Sequence, residues 1–157
     1  MTLYFAYGSN MSRAPMRARC PSAREVGVAT LGGHRLIITS DGYASVVPEP
    51  GGLVHGLLWR LAPRDLAALN AYESLDTGLY RVATLAVRLG ARRVPAMIYL
   101  ARSRTPGLPR PGYLEAVLAA ARELDLPRAY IDALARWLPS GLRAARPPDT
   151  SARFRSS

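Results

Sequence analysis

The chain has 157 residues, of which 49% are hydrophobic and 20% are charged. This is about the length of one domain with ordinary globular composition, which excludes the collagen, coiled-coil and disordered classes. The formal charge is +10, but all 21 basic residues are Arg, they are scattered, and no nucleic-acid recognition motif accompanies them. We therefore interpret the charge as a solvated surface and expect no nucleic-acid partner.

The chain is poor in residues that make disulfides or metal sites. Its one cysteine, Cys20, cannot form an internal disulfide, and its two histidines, His34 and His55, lie in no ligand pattern. We therefore expect no metal site and a buried or incidental thiol at Cys20. The first residues are not leader-like and no apolar stretch approaches about 18 residues, which predicts a cytoplasmic protein without membrane contact.

Strand-like sequence dominates the first two thirds of the chain. Apolar, β-branched and aromatic segments predict strands over 2–7, 26–30, 35–39, 44–48, 55–61, 81–89 and 94–100. Turn-forming clusters bound most of them and are interpreted as strand ends: Gly32-Gly33, Asp41-Gly42 and Pro50-Gly51-Gly52. The sheet is predicted to be mixed or antiparallel.

Helical periodicity occurs in three places. It predicts helices over 63–73 and 113–124, and a further helix after Pro127 whose apolar stripe ends at Leu138. The last two stripes are most simply explained by packing against the sheet. We expect one domain over residues 1–139, followed by a flexible tail rich in Arg, Pro and Ser over residues 140–157.

The loop Tyr7-Gly8-Ser9-Asn10 directly follows the first predicted strand. Gly8 permits a sharp turn and a close approach of a ligand to the backbone, while Ser9 and Asn10 add short polar side chains. Several backbone N–H groups directed at one point form a small anion site, so this loop is able to hold a carboxylate. An ordinary turn is the alternative interpretation.

Glu73 is the second candidate site. Leu66 and Leu69 precede it by seven and four residues, so helical spacing places Glu73 on the apolar face of its helix. Burial raises the pKa of a carboxyl group toward neutral pH, where the group can accept a proton and return it. The alternative is a solvated residue at a frayed helix end.

Three segments together resemble the γ-glutamylcyclotransferase family, which includes the AIG2-like proteins and the cyclotransferase of butirosin biosynthesis. They are LYFAYGSNM at 3–11, LNAYE at 69–73 and GLYR at 78–81. The similarity continues through 44–51, 54–59 and 113–138. The combination of the Tyr-Gly-Ser-Asn loop with Glu-x-x-x-x-Gly-x-Tyr is the specific part of this resemblance.

The resemblance implies an α+β fold, with a small mixed β-barrel-like sheet and flanking helices. It implies ring closure of a γ-glutamyl amino acid, peptide or amine to 5-oxoproline and a free amine, without a cofactor. Glu73 matches the general acid/base of the family. The residues that match its substrate contacts are Tyr4, Phe5, Ala6, Tyr7, Gly8, Ser9, Asn10, Tyr80 and Tyr113. We expect a monomer or homodimer.

Two alternatives stay open at this point. The same fold serves another acyl or amine transferase or a hydrolase, or the chain is a non-catalytic interaction module with a basic tail. A serine hydrolase is disfavoured, because Ser9 lies in no Gly-x-Ser-x-Gly elbow and no His-Asp pair accompanies it.

Overall fold

The computed structural model describes residues 1–73 and 78–139, and within them five strands close into a barrel. The strands are β1 (Thr2–Ala6), β2 (Arg24–Ile38), β3 (Ala44–Leu61), β4 (Tyr80–Leu89) and β5 (Arg92–Ala101). The helices are α1 (Arg13–Arg19), α2 (Pro63–Tyr72), α3 (Tyr113–Glu123) and α4 (Arg128–Ala135), and a 3₁₀ turn spans Ser9–Met11.

The barrel contains both antiparallel and parallel strand pairs. The strand order is β1-β3-β2-β4-β5, with antiparallel pairs β1/β3, β2/β3, β2/β4 and β4/β5. The short strand β1 closes the barrel, because Tyr4 pairs with Trp59 on one side and, in parallel, with Met97 of β5 on the other. The predicted α+β fold with a mixed, barrel-like sheet is confirmed.

Two predicted strand ends are wrong. The strands do not end at Gly32-Gly33 or at Pro50-Gly51-Gly52, because β2 and β3 each continue through these glycines. The pairing of β2 with β3 shifts its register between Gly32 and His34. A Cβ atom on Gly52 would lie 2.3 Å from the carbonyl oxygen of His34. Glycine at this position therefore lets the two strands bend past each other in close contact instead of ending them.

The helices differ from their predicted bounds at two points. Periodicity did not predict α1, because this helix spans only 7 residues and buries one of them, Met16, so it has no apolar stripe. In contrast, α4 ends at Ala135, earlier than predicted, although Leu138 still packs in the core. The helix predicted over 63–73 ends one residue before Glu73.

The core is one cluster of buried side chains that includes residues from all five strands and from α1 to α4. No helix in residues 1–73 and 78–139 has the length and apolarity needed to cross a membrane. The tail predicted over residues 140–157 lies outside the described residues, and the division of the chain at residue 139 stays a prediction.

Candidate active site

Glu73 is a buried carboxyl group at the end of a helix. It caps α2, its backbone N–H donates to the Leu69 carbonyl at 2.9 Å, and only 1% of the residue is exposed. Its Oε1 accepts a hydrogen bond from Asn10 Nδ2 at 3.2 Å. Its Oε2 is buried and has no hydrogen-bond partner among the described residues. Since buried polar atoms are normally paired, Oε2 is a place where a proton or a ligand N–H fits.

The surroundings of Glu73 favour its neutral form. Burial raises the pKa of this carboxyl group to about 8, although the Arg19 charge and the hydrogen bond from Asn10 both lower it. The negative end of the α2 dipole also disfavours an anion at this position. The structure buries Glu73, as its position on the apolar face of the helix predicts. A carboxyl group with a raised pKa is suited to accept and return a proton near neutral pH.

Asn10 is held from two sides. It lies in the 3₁₀ turn Ser9–Met11, and its backbone carbonyl oxygen accepts a hydrogen bond from Trp59 Nε1 at 3.1 Å. Its Nδ2 donates to the Tyr4 hydroxyl at 3.0 Å as well as to Glu73. The opening strand and the loop after it are thereby joined to the end of α2 at one buried point.

Tyr4 and Tyr99 lie on neighbouring strands beside this carboxyl group. Their rings meet edge to face with centroids 5.6 Å apart, and the Tyr99 hydroxyl donates to Asn70 Oδ1 at 2.5 Å. Burial, together with the nearby Glu73, raises the pKa of both tyrosines above its ordinary value. Both phenols are therefore neutral at physiological pH.

Three other predicted substrate residues place their hydroxyls on the backbone of Ala44 or Tyr99. Tyr80 donates its hydroxyl hydrogen to the Ala44 carbonyl at 3.1 Å, and Tyr113 accepts from the Ala44 N–H at 3.2 Å. Tyr7 donates to the Tyr99 carbonyl at 2.6 Å. All three tyrosines are buried, with hydroxyls engaged by the main chain. The structure thus brings them together as a wall that braces the site.

Phe5 and Ala6 are fully buried in β1 but differ in position. Because side chains alternate along a strand, Ala6 shares the face of Tyr4, while Phe5 lies on the opposite face. The ring of Phe5 packs against Gly56, where an added Cβ atom would come within 2.8 Å of it. Any contact between Phe5 and a ligand at Glu73 would come from its backbone.

The loop residues Gly8 and Ser9 lie at the start of the 3₁₀ turn. The turn is closed by a hydrogen bond of 3.1 Å from the Met11 N–H to the Gly8 carbonyl. Ser9 is buried, and its side chain is hydrogen-bonded to the Tyr72 hydroxyl, next to Glu73 in the chain. This loop therefore lies against the end of α2, as a shared binding site requires.

The structure adds three side chains that sequence reasoning missed. Arg19 contacts Asn10, Tyr99 contacts Tyr4, and Asn70 holds the Tyr99 hydroxyl. A polar-tipped aromatic residue in the apolar segment 94–100 is a signal that pointed to Tyr99. Arg19 had no such signal, because it belongs to the helix that periodicity did not reveal.

This combination defines a class: a small closed-barrel protein whose candidate site holds a buried carboxyl group with a raised pKa. Within residues 1–73 and 78–139, no three His, Cys, Asp or Glu side chains are grouped so that they could hold a metal ion.

Comparison with known proteins identifies the family. The family model for gamma-glutamyl cyclotransferase, AIG2-like, matches residues 4–115, and the chain belongs to this family. It is 29% identical over 143 residues to the gamma-glutamylcyclotransferases of Mus musculus and Homo sapiens, covering 84% of this chain and 76% of each relative. A solved gamma-glutamyl cyclotransferase superposes with a TM-score of 0.79 at 27% identity, covering 97% of this chain and 92% of the other. The family and enzyme class predicted from the sequence are confirmed.

Proposed function

We propose that this protein converts γ-glutamyl amino acids, peptides or amines into 5-oxoproline and a free amine, with Glu73 as the general acid/base. The observation that carries the proposal is the buried Oε2 of Glu73, which has no donor among the described residues, on a carboxyl group with a pKa of about 8. A substrate ammonium group at Oε2 supplies both the missing donor and a proton that Glu73 can accept. Family membership supports the substrate class.

A single carboxyl group is sufficient for the proton transfers of this reaction. Glu73 takes a proton from the α-ammonium, and the resulting amine attacks the γ-carbonyl carbon, forming the ring C–N bond. When the tetrahedral intermediate collapses, the bond to the leaving nitrogen breaks and Glu73 returns its proton to that nitrogen. The excess proton on the ring nitrogen is taken up by the released amine, so the products are the neutral lactam and an ammonium ion. Because nucleophile and electrophile are tethered, rate comes mainly from holding the folded-back conformation.

The loop and the two tyrosines beside Glu73 suit the γ-glutamyl part of the substrate, which all the proposed substrates share. We assign the backbone of Gly8 and Ser9 to the α-carboxylate, because a glycine-centred turn binds a small anion without a basic side chain. Tyr4 and Tyr99 border the carboxyl group of Glu73 and exclude water from it. Exclusion of water favours attack by the internal amine over hydrolysis.

The test is a panel of γ-glutamyl amino acids and amines with mass detection of the products. The proposal expects 5-oxoproline and the free amine in equal amounts. The matched control is the same panel acetylated on the α-nitrogen, which removes the nucleophile and abolishes the reaction. Release of glutamate, or continued cleavage of the acetylated compounds, would show a hydrolase or another acyl transferase. Absence of turnover across the panel would favour an interaction module.

Three accompanying expectations are proposals as well. We propose a cytoplasmic location, since the one cysteine, Cys20, is buried and makes no disulfide. We propose a monomer or homodimer, which sedimentation measures directly. Since the described arginines are dispersed over several elements, we also propose that the protein does not bind nucleic acid more tightly than non-specific contacts allow.

A further inference from the structure

Arg19 occupies the space between the Tyr-Gly-Ser-Asn loop and the end of α2. It is the last residue of α1 and is half-buried. Its guanidinium carbon lies 3.4 Å from the centroid of the Tyr72 ring, in a stacked cation–π contact. Its Nη1 donates a hydrogen bond to Asn10 Oδ1 at 2.6 Å. Both partners adjoin Glu73, Tyr72 by sequence and Asn10 by a hydrogen bond.

This contact decides which way the Asn10 amide points. A guanidinium group has only donors, so the Asn10 atom facing Arg19 must be the carbonyl oxygen. The amide nitrogen then faces the opposite side, where it donates to Tyr4 and to Glu73. A flipped amide would place N–H against N–H at Arg19 and oxygen against oxygen at Glu73. Both faces of the amide would then be repulsive.

We infer that Arg19 is a positioning residue that locks the Asn10 amide with its N–H toward Glu73, so that the charged carboxylate always has a donor. Arg19 itself lies beyond the carboxyl group, with Asn10 between them in the hydrogen-bond chain. The kinetic part of this inference rests on the proposed function of Glu73. The structural part, which concerns the ionisation of Glu73, does not.

The electrostatics of the site support this role. The groups coupled to Glu73 come from six elements. Arg19 of α1 and Asn10 of the 3₁₀ turn lower the pKa of Glu73, and Glu73 in turn raises the pKa of four tyrosines on β1, α2, β4 and β5, namely Tyr4, Tyr72, Tyr80 and Tyr99. Burial raises the pKa of every one of these tyrosines, so they are neutral. Among the described side chains acting on Glu73, Arg19 is the one that carries a charge, and it lowers the pKa of Glu73 against the effect of burial.

The test is to change Arg19 and follow Glu73 in the protein without substrate. In Arg19→Met the charge and the donor are lost while an unbranched apolar stem remains to cover Tyr72. The Glu73 carboxyl carbon, assigned by comparison with Glu73→Gln, is titrated by ¹³C NMR. We expect its midpoint to rise by about one pH unit or more, since an opposite charge nearby has been removed. The rising limb of kcat/KM should move by the same amount, with about a tenfold loss near pH 7 and recovery at higher pH.

Two further variants separate positioning from general stabilisation. Arg19→Lys keeps the charge but not the planar stack and fork, so its shift should be smaller than that of Arg19→Met and in the same direction. Arg17→Met removes an exposed arginine from the same helix and should leave both titrations unchanged. Should Arg19→Met fold poorly, Arg19→Lys against Arg17→Met carries the test.

An unchanged Glu73 midpoint in every folded Arg19 variant overturns the inference. A shifted midpoint in a protein that forms no 5-oxoproline from any substrate upholds the inference and refutes the proposed function instead. Equal loss of activity at all pH values, without movement of the profile, would assign Arg19 a merely structural role and also overturns the inference.

Discussion

A carboxyl group is buried at each end of α2, and the two groups differ in their hydrogen bonding. Asp65 and Glu73 lie two helical turns apart on the same face of α2, with Leu69 between them, and each is 1% exposed. Asp65 accepts hydrogen bonds from the backbone N–H groups of Ala62 at 3.0 Å and Ser22 at 3.2 Å. Glu73 has one side-chain donor, and its second oxygen has no partner in the part of the chain that the structure describes.

The difference shows that burial alone does not determine how a carboxyl group is hydrogen-bonded. At the start of α2 two backbone N–H groups pair both oxygens of Asp65, next to the positive end of the helix dipole. At the end of α2 the dipole is reversed and a donor is missing, which suits a group that must exchange a proton. Asp65 is thus interpreted as a structural cap and Glu73 as the reactive group. Exchange of either carboxylate for its amide tests this division.

The largest effect is expected for turnover in Glu73→Gln. The amide keeps the shape of the side chain but cannot accept a proton, so ring closure should fall by roughly 10²–10⁴-fold or more. Initial rates of 5-oxoproline formation measure this. Asp65→Asn is the matched control and should keep its activity per folded molecule. A folded Glu73→Gln variant with normal turnover would refute the assigned role.

The second effect concerns the stability of the same variant as a function of pH. The pKa of Glu73 is about 8 in the folded protein, above its ordinary value of 4.5. The contribution of Glu73 to the free energy of unfolding is therefore fully present below pH 4.5 and is lost as the pH rises to about 8. Relative to wild type, Glu73→Gln should gain up to about 4 kcal/mol over this range and then level off. Urea unfolding at several pH values measures the difference, and a pH-independent difference would contradict the raised pKa.

The third effect is the pH dependence of the wild-type reaction. Because Glu73 must be ionised to accept the substrate proton, kcat/KM should rise about tenfold per pH unit below its pKa and flatten near pH 8. Steady-state kinetics in a constant-ionic-strength buffer series test this. An inflection near pH 4 to 5 would mean that the reacting carboxyl group is not desolvated.

The smallest effect is expected at Asp65. In Asp65→Asn one oxygen is replaced by an N–H₂ group, which faces a backbone donor and leaves it unpaired, at a cost of roughly 1–3 kcal/mol. Urea unfolding at pH 7 measures the loss. Glu123→Gln is the control for removing an exposed carboxylate, whose ion pair with Arg13 should contribute less than about 1 kcal/mol. Loss of turnover in folded Asp65→Asn would break the division between the two ends of α2.

Local pattern was sufficient for much of the fold. The segments that become β1, β4 and β5 were predicted because they are runs of apolar, β-branched and aromatic residues, and the helices α2 and α3 were predicted because each carries a periodic apolar face. The long strands β2 and β3 were not predicted as continuous, because glycines such as Gly32 and Gly52 are typical of the ends of strands. Whether a glycine ends a strand or bends it depends on the strand packed against it, here through the carbonyl of His34.

The sequence by itself determined that Glu73 lies on the apolar face of a helix and that a glycine-centred polar loop follows the first strand. Asp65 likewise lies four residues from Leu69, so helical spacing relative to this residue could not tell the two carboxyl groups apart. Only the tertiary structure decided their hydrogen bonding, because one donor to each group comes from a distant position. The Ser22 N–H reaches Asp65 across 43 positions, and the Asn10 amide reaches Glu73 across 63. The number of donors that arrive at each carboxyl group depends on how the barrel closes.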